Sequence, residues 1–456
     1  MNTRQSLPRM SRGTQQRALA GLAALCAATI SAGYALAADP SLLTPSNRIV
    51  TKEEQGLELQ ALKLLASPVG QQAQVQIGRY QQNFVGETDN EAVFQAALKT
   101  NAFCGALIAA NSDSNHPKIH AQGVPAHRVG TRDIPDSACG IPNVDTIYRF
   151  IPVDGESHYL ITGHVAAHRP IENNFTLASY GMTTIANING RDLKVDPDGS
   201  FKITIDPEPA NGRPNHLQTR HDAFQIWIRD TLGDWSKEKP NRLTIQRLDP
   251  NPPVETNFDG QVAMIGRYAT YVIASMPAEV INGPANTFKQ PKVLGGAAGS
   301  GGFLVTQAYS NGRFQLADDQ ALVLTLKLGY AGYAIVPVTN MWGTNDGVGR
   351  LTGALNNFQA DRNADGTYTF VITKNDPGIA NWVDTGGLNQ GTVVLRWAAF
   401  PAGDLSKLPP PAVQSSVVKV SELNALLPNV RHVNSAQRQQ ERAAHRQALY
   451  RRLNDD

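Results

Sequence analysis

Residues 365–397 read DGTYTFVITKNDPGIANWVDTGGLNQGTVVLRW, and residues 198–230 read DGSFKITIDPEPANGRPNHLQTRHDAFQIWIRD. Both open on Asp-Gly, a hairpin signal, and continue through an aromatic residue into an alternating strand. A polar loop follows with an Asn-x-x-x-Thr core, Asn215 to Thr219 in one copy and Asn381 to Thr385 in the other. Each copy closes on an apolar strand with an arginine near its end, Arg229 and Arg396. The copies lie 167 residues apart at Asp-Gly, 166 at the Asn and 167 at the Arg. Such constancy over a whole strand–loop–strand unit argues for duplication. The expected fold is therefore mainly β, with two related antiparallel sandwich or jelly-roll modules and helical additions.

The surrounding sequence agrees. From Ile141 to about residue 255, short runs rich in β-branched and aromatic residues alternate with Gly, Pro, Asn and Asp, as in a sandwich. The same texture returns from 303 to 400. Before the first module, Thr51 with Glu54 and Thr88 with Glu91 fit capping boxes. Apolar residues at helical spacing follow each, and Pro68 reads as a stop. Residues 38–140 thus form a helical subdomain with a trailing loop. Residues 256–302 hold a helix, Gln261–Ser275, and a Gly-rich run that reads as a lid or linker; it lacks the Lys-Ser/Thr of a phosphate loop. Residues 401–456 read as a Pro-rich linker and a C-terminal helix from Ser435 to Leu453, whose five arginines suggest a solvated or partner-facing stripe.

Residues 1–37 read as a secretory signal peptide. Arg4, Arg9, Arg12 and Arg17 precede an Ala-rich apolar run, and Ala35 and Ala37 supply the small residues of a cleavage site. The run is short for a bilayer span, so no stable membrane anchor is expected after cleavage, and the location is periplasmic or secreted. Of the chain's 41 Lys and Arg, the four removed leave 37 against 39 Asp and Glu. That near-neutral balance excludes a global field for nucleic acid. Cys104 and Cys139 remain, an even pair in an oxidising compartment. Their pairing as a disulfide, worth ~3 kcal/mol by loop closure, stands beside the alternative of two buried thiols.

Candidate site residues come from the duplicated unit. In a structural reading, Asn and Thr bond the loop's own backbone, Trp382 caps the core, and Arg396 pairs with Asp384 across the hairpin. In a functional reading, the loops converge on a cleft. Trp382 then offers an apolar platform, with Asp384, Arg396, Arg229, Asn215, His216 and Tyr148 as polar anchors. Asp384, His216 and Tyr148 are the weak acid/base candidates. His164, His168 and Glu172 fall on a strand pattern, where residues four apart lie ~13 Å from each other, so no metal is expected. Neither a Gly-x-Ser-x-Gly elbow nor a dinucleotide fingerprint occurs, and no cofactor is expected.

At these residues a family resemblance emerges. ADGTYTFVITKNDPGIANWVDTGGLNQGTVVLRW resembles the C-terminal signature of the bacterial family DUF1214, a domain of unknown function. IPNVDTIYRF, Ile141 to Phe150, is similar to its Tyr-Arg strand, and HDAFQIWIRDTLGDW to its central Ile-Arg-Asp stretch. The resemblance spans Pro142 to Trp397 and implies sandwich or jelly-roll modules with an N-terminal helical, dimer-forming part, often in company with a DUF1254 domain. It brings no established activity. The leading expectation is an exported protein binding a small apolar or aromatic ligand. The alternatives are a periplasmic hydrolase or lyase, and an assembly protein that forms a homodimer through its helices. A non-reducing digest of the exported protein should yield one linked peptide joining Cys104 to Cys139; two alkylatable thiols would refute the pairing.

Overall fold

A computed structural model describes residues 50–85, 90–250, 252–253, 258–274, 280, 282–294, 302–345 and 352–453. The expected signal peptide, Thr88 and the Gly-rich run as far as residue 301 lie outside these. The first helices form much as their caps dictate. Thr51 Oγ1 accepts from the Glu54 amide at 3.1 Å and starts α1 (Lys52–Ala66). The Glu54 carboxylate does not close the expected box. It accepts from the Ala121 amide at 2.7 Å, fastening α1 to the first strand. Pro68 does not simply stop the helix; it opens α2 (Pro68–Val85) as its first residue, where its missing N–H costs nothing. Asn90 caps α3 (Glu91–Ala110).

The helix between the modules, α4 (Phe258–Ala274), returns to this subdomain. Val262 and Ile265 join Leu64, Ile77, Phe103 and Leu107 in one core. The approach of α3 to α4 requires a glycine, because a Cβ on Gly105 would sit 2.5 Å from the Ile265 carbonyl oxygen. Among the described residues, α3 alone is long and apolar enough to cross a membrane; here most of it is buried against α1 and α4.

The strands, numbered in chain order, form two sandwiches. In the first module a five-stranded sheet runs β1 (His120–Gln122), β4 (Thr146–Pro152), β10 (Ala223–Thr231), β6 (Glu172–Ser179), β7 (Thr184–Asn189). It packs on a four-stranded sheet ordered β11 (Arg242–Arg247), β5 (Tyr159–His164), β8 (Ser200–Asp206), β9 (His216–Gln218). The small β2–β3 hairpin (His127–Val129, Arg132–Ile134) lies apart. In the second module the five-stranded sheet is β12 (Lys292–Val293), β13 (Ala308–Gln315), β19 (Gln390–Ala398), β15 (Tyr333–Thr339), β16 (Ala354–Asn356). Its companion is β18 (Trp382–Asp384), β17 (Tyr368–Thr373), β14 (Gln320–Lys327), β20 (Ala412–Lys419). The modules correspond strand for strand, as duplication requires. Strand β20 lies where the sequence suggested only a linker; it pairs with β14 from Gln320 to Lys327 and completes the second sandwich.

The duplicated loop is not a hairpin between β8 and β10, nor between β17 and β19. It crosses from one sheet to the other, laying β9 parallel to β8 and β18 parallel to β17 on the way. Asn215 and Asn381 make this possible. Both have left-handed φ, 50° and 57°, a conformation Asn tolerates better than most residues. Asn381 Nδ2 donates to the Asp361 and Thr369 carbonyls at 2.8 and 2.9 Å, and its Oδ1 accepts from the Asp361 amide at 2.7 Å. Asn215 makes the corresponding bonds to Lys194 and Lys202.

The C-terminal helix α6 (Ser435–Leu453) follows the short α5 (Leu423–Leu426) and has the expected bounds. Three of its five arginines, however, turn toward the chain, while Arg451 is exposed. Arg438 binds Asp376 and the Ile379 carbonyl, and Arg438 and Arg442 lie over the Trp382 ring at 5.1 and 5.6 Å. Arg452 lies 3.9 Å over Trp235. The helix is a clasp within its own chain. Replacing Asn381 tests the loop. Asn381→Ala should cost about 2–3 kcal/mol by urea denaturation, and Asn381→Gly about 1 kcal/mol less, because glycine restores the backbone conformation but not the side-chain bonds.

Candidate functional site

Alternation along a strand sends successive side chains to opposite faces. On β10, Ile226 and Ile228 enter the first sandwich core, so Trp227 and Arg229 face the other way. On β19, Val393, Leu395 and Trp397 enter the second core, leaving Val394 and Arg396 outward. The outward faces of the two five-stranded sheets meet. Tyr333 and Ile335 of β15 pack with Ile147 and Trp235 of the first module. A buried network crosses the joint. Asp145 accepts from the Tyr333 hydroxyl at 2.7 Å, from Asn356 at 2.7 Å and from the Trp235 indole at 3.0 Å.

Beside this joint lies a cavity of about 120 Å³ with walls from both modules and from α4. Its polar anchors come in two related sets. Tyr148 stands opposite Arg229 across β4 and β10, and Tyr309 stands opposite Arg396 across β13 and β19. Each tyrosine hydroxyl accepts from the amide five residues earlier, Asn143 or Leu304, at 3.0 Å. Tyr309 also donates to Gln307 Oε1 at 2.8 Å, and burial pushes its phenol up to about 12. The apolar wall is Phe150, Trp227 and Phe303. Phe150 and Trp227 meet edge to face at 5.7 Å.

Both guanidinium groups are buried, each residue 8% exposed. Arg229 donates to Thr176 Oγ1 at 3.2 Å and to the Gly302 carbonyl at 3.0 Å, and lies 4.9 Å over Trp227. Gly302 must be glycine there, with φ at 83°, since a Cβ would fall 2.6 Å from the Trp227 ring. Arg396 donates to the carbonyls of Val394 and Ile141. Ile141 holds an unusual left-handed φ of 54°, a costly conformation for a β-branched residue. It is anchored next to Cys139, which forms the disulfide with Cys104 of α3. The disulfide expected from the sequence is therefore present, and Cys139 is part of the cavity wall.

Of the sequence-derived candidates, Tyr148, Arg229 and Arg396 are brought together. The others are elsewhere. Trp382 is buried beneath α6, with its indole donating to the Thr373 carbonyl at 3.0 Å. Asp384 accepts from Thr352 and the Gly386 amide and has Arg442 at 3.7 Å; the expected Arg396–Asp384 pair does not form, because β19 turns Arg396 to the cavity. Asn215 is a loop brace. His216 is held by Thr204 and the Glu208 carbonyl, both at 2.8 Å. His164 contacts the Val165 and Asp198 carbonyls, whereas Glu172 is buried on β6 beside Gln307. No cluster of metal-ligating side chains occurs among the described residues. Sequence reasoning missed Tyr309, Phe150, Trp227 and Gln307. The alternation in FQIWIRD was the available signal, since it sets Trp227 and Arg229 on one face and the isoleucines on the other.

Fold and site together define a duplicated β-sandwich protein with an aromatic, cationic cavity at the joint of its modules. Residues 152–230 match the family model described as "Protein of unknown function (DUF1214)", the family the sequence resembles. The matched span ends where the first copy of the duplicated unit ends. The second copy, which carried the resemblance, lies outside the span and shares its topology. An uncharacterized protein from Burkholderia cenocepacia has a similar crystal structure, with a TM-score of 0.63 at 22% identity over 80% of this chain and 100% of that one. The similarity is one of fold. The VPA0106 protein from Vibrio parahaemolyticus aligns over the same shares at 11% identity with a TM-score of 0.39. No curated protein matches the chain.

Behind Gln307 sits Glu172, whose carboxyl burial pushes up to about 7 from an ordinary 4.5, against the hydrogen bond from Gln307. A carboxyl that keeps its proton longer in the folded state stabilises below pH 4.5, and that stability is lost as pH rises through 7. The wild-type protein should therefore lose about 3 kcal/mol between pH 4.5 and 8 that Glu172→Gln does not lose. Urea denaturation of the two proteins across that range gives the difference.

Proposed function

We propose that the protein binds a small organic molecule in the cavity between its modules, without a cofactor and outside the cytoplasm. The observation that carries this reading is the wall itself, in which aromatic rings surround a few polar side chains fixed by strands and a disulfide. Such a preformed, mostly apolar hollow with few convergent polar groups is the usual make-up of a ligand site. Its volume suits one ring or a short chain, by comparison with the ~150 Å³ hollow that accepts benzene. The export reading draws support from the charge and apolar pattern of residues 1–37 and from the Cys104–Cys139 bond.

The hydrolase or lyase reading has less support. No carboxylate or imidazole is among the described residues lining the cavity; the acid/base groups there are the phenols of Tyr148 and Tyr309, and each already accepts from a backbone amide. The helix-mediated dimer also has less support, since α6 directs Arg438, Arg442 and Arg452 at its own chain. A library of one-ring and short-chain compounds, followed by native mass spectrometry and thermal shift, tests the site. Compounds that bind should lose at least about tenfold in affinity to Val394→Phe, which crowds the cavity. Trp382→Ala should leave affinity within about twofold. The reverse pattern would move the site to the duplicated loop.

A further inference from the structure

The two arginines of the cavity are equivalent by duplication, yet among the described residues neither has an ion-pair partner. Among the described residues, Arg229 meets a hydroxyl, a carbonyl and an indole face, and Arg396 meets two carbonyls. These are dipoles, not charges. Among the described residues, no carboxylate lies within ion-pair distance of either guanidinium, although other buried or half-buried arginines have one. Arg149 pairs with Asp230, and Arg438 with Asp376. Burial lowers Arg229 from its ordinary value and Arg396 lowers it further, so the two cations feel each other. Glu172, the acid that acts on Arg229 from nearby, makes no ion pair with it, and burial pushes its carboxyl up to about 7, so it offsets that charge only in part at neutral pH.

An arginine stays charged in a protein under physiological conditions, and an uncompensated buried charge is strongly unfavourable. Two of one sign in one hollow compound the cost. A fold that places them at matching positions in both modules leaves a counter-charge to be supplied from outside. The guanidinium fork is suited to a planar oxyanion, which accepts two parallel bonds. The remaining wall of Phe150, Trp227 and Phe303 is apolar, and about 120 Å³ leaves no room for a large polar body.

Resting on the cavity as the binding site, we propose that the ligand is a small organic carboxylate whose charge is met by Arg229 and Arg396 and whose one-ring or short-chain body lies against Phe150, Trp227 and Phe303. The arginines are the specificity determinants: they select the anion, and the aromatic wall selects its size.

Matched pairs decide the matter. Benzoate with benzamide, and hexanoate with hexanamide, are titrated calorimetrically into the purified protein, with phenyl phosphate as a third arm. At least one acid should bind about tenfold or more tighter than its amide, and less tightly as salt rises. Arg229→Met and Arg396→Met should each lower acid affinity about 100-fold. Arg396→Lys, which keeps the charge and loses the fork, should lower it about tenfold and serves where a Met variant does not fold. Amides that bind as well as acids, with affinity lost in Val394→Phe, would overturn the carboxylate and leave the cavity as a site. A preference for phenyl phosphate over benzoate would overturn it too. If neither acids nor amides bind, both readings fall, and the arginines are braces for Ile141 and Gly302.

Discussion

The structure depends on two five-stranded sheets that are buried on both faces. A sandwich normally hides one face of each sheet and leaves the other to water. Here β10 and β19 each run through the middle of a sheet whose inner face packs a sandwich core and whose outer face meets the other module. From Gln225 to Thr231 and from Gly391 to Ala398 every residue of these strands is buried and therefore committed. Ile226 and Ile228 go one way, and Trp227 and Arg229 the other; a one-residue slip would exchange the sets. The joint, the cavity and the placement of both arginines follow from that single register.

Burying both faces creates a demand for polar order at the joint. Asp145, Tyr333, Asn356 and Trp235 satisfy one another there, and the helical subdomain closes the side by way of α4 and the Cys104–Cys139 bond. The segment from Cys139 to Asn143 is tied at several points, by the disulfide, by the Ile141 amide on the Gly343 carbonyl at 2.9 Å, and by Asn143 on Tyr333 at 3.1 Å. That over-determination is what sustains a left-handed isoleucine whose carbonyl faces Arg396.

The duplicated loop has a different place in this architecture from the one its decoration suggested. Its Asn braces the crossover between sheets in both copies, and the residues that differ between copies, Trp382 and His216, serve local packing and hydrogen bonding. The arginines that close each copy, which looked like the plainest part of the repeat, are the part that reaches the cavity. Reading each copy as a flat hairpin hid this, because in a hairpin Arg396 would lie across from Asp384. The crossover puts them in different sheets.

The sequence by itself determined the class of fold, the duplication and the bounds of the C-terminal helix, since these follow from periodicity and turn chemistry along the chain, and by parity it offered the pairing of two cysteines as one of two alternatives. It held the alternation that sets Trp227 beside Arg229, but alternation cannot say which face of a strand meets solvent, which meets a core and which meets another module. Only the tertiary structure decided that both faces are buried, that β20 completes the second sandwich, and that α4 returns to the first helices. It also decided that two arginines far apart in the chain share one hollow. The physical reason is the same in each case: these are contacts between surfaces that are apolar or charged in the sequence whatever their partner, and the partner is chosen by packing the whole chain at once.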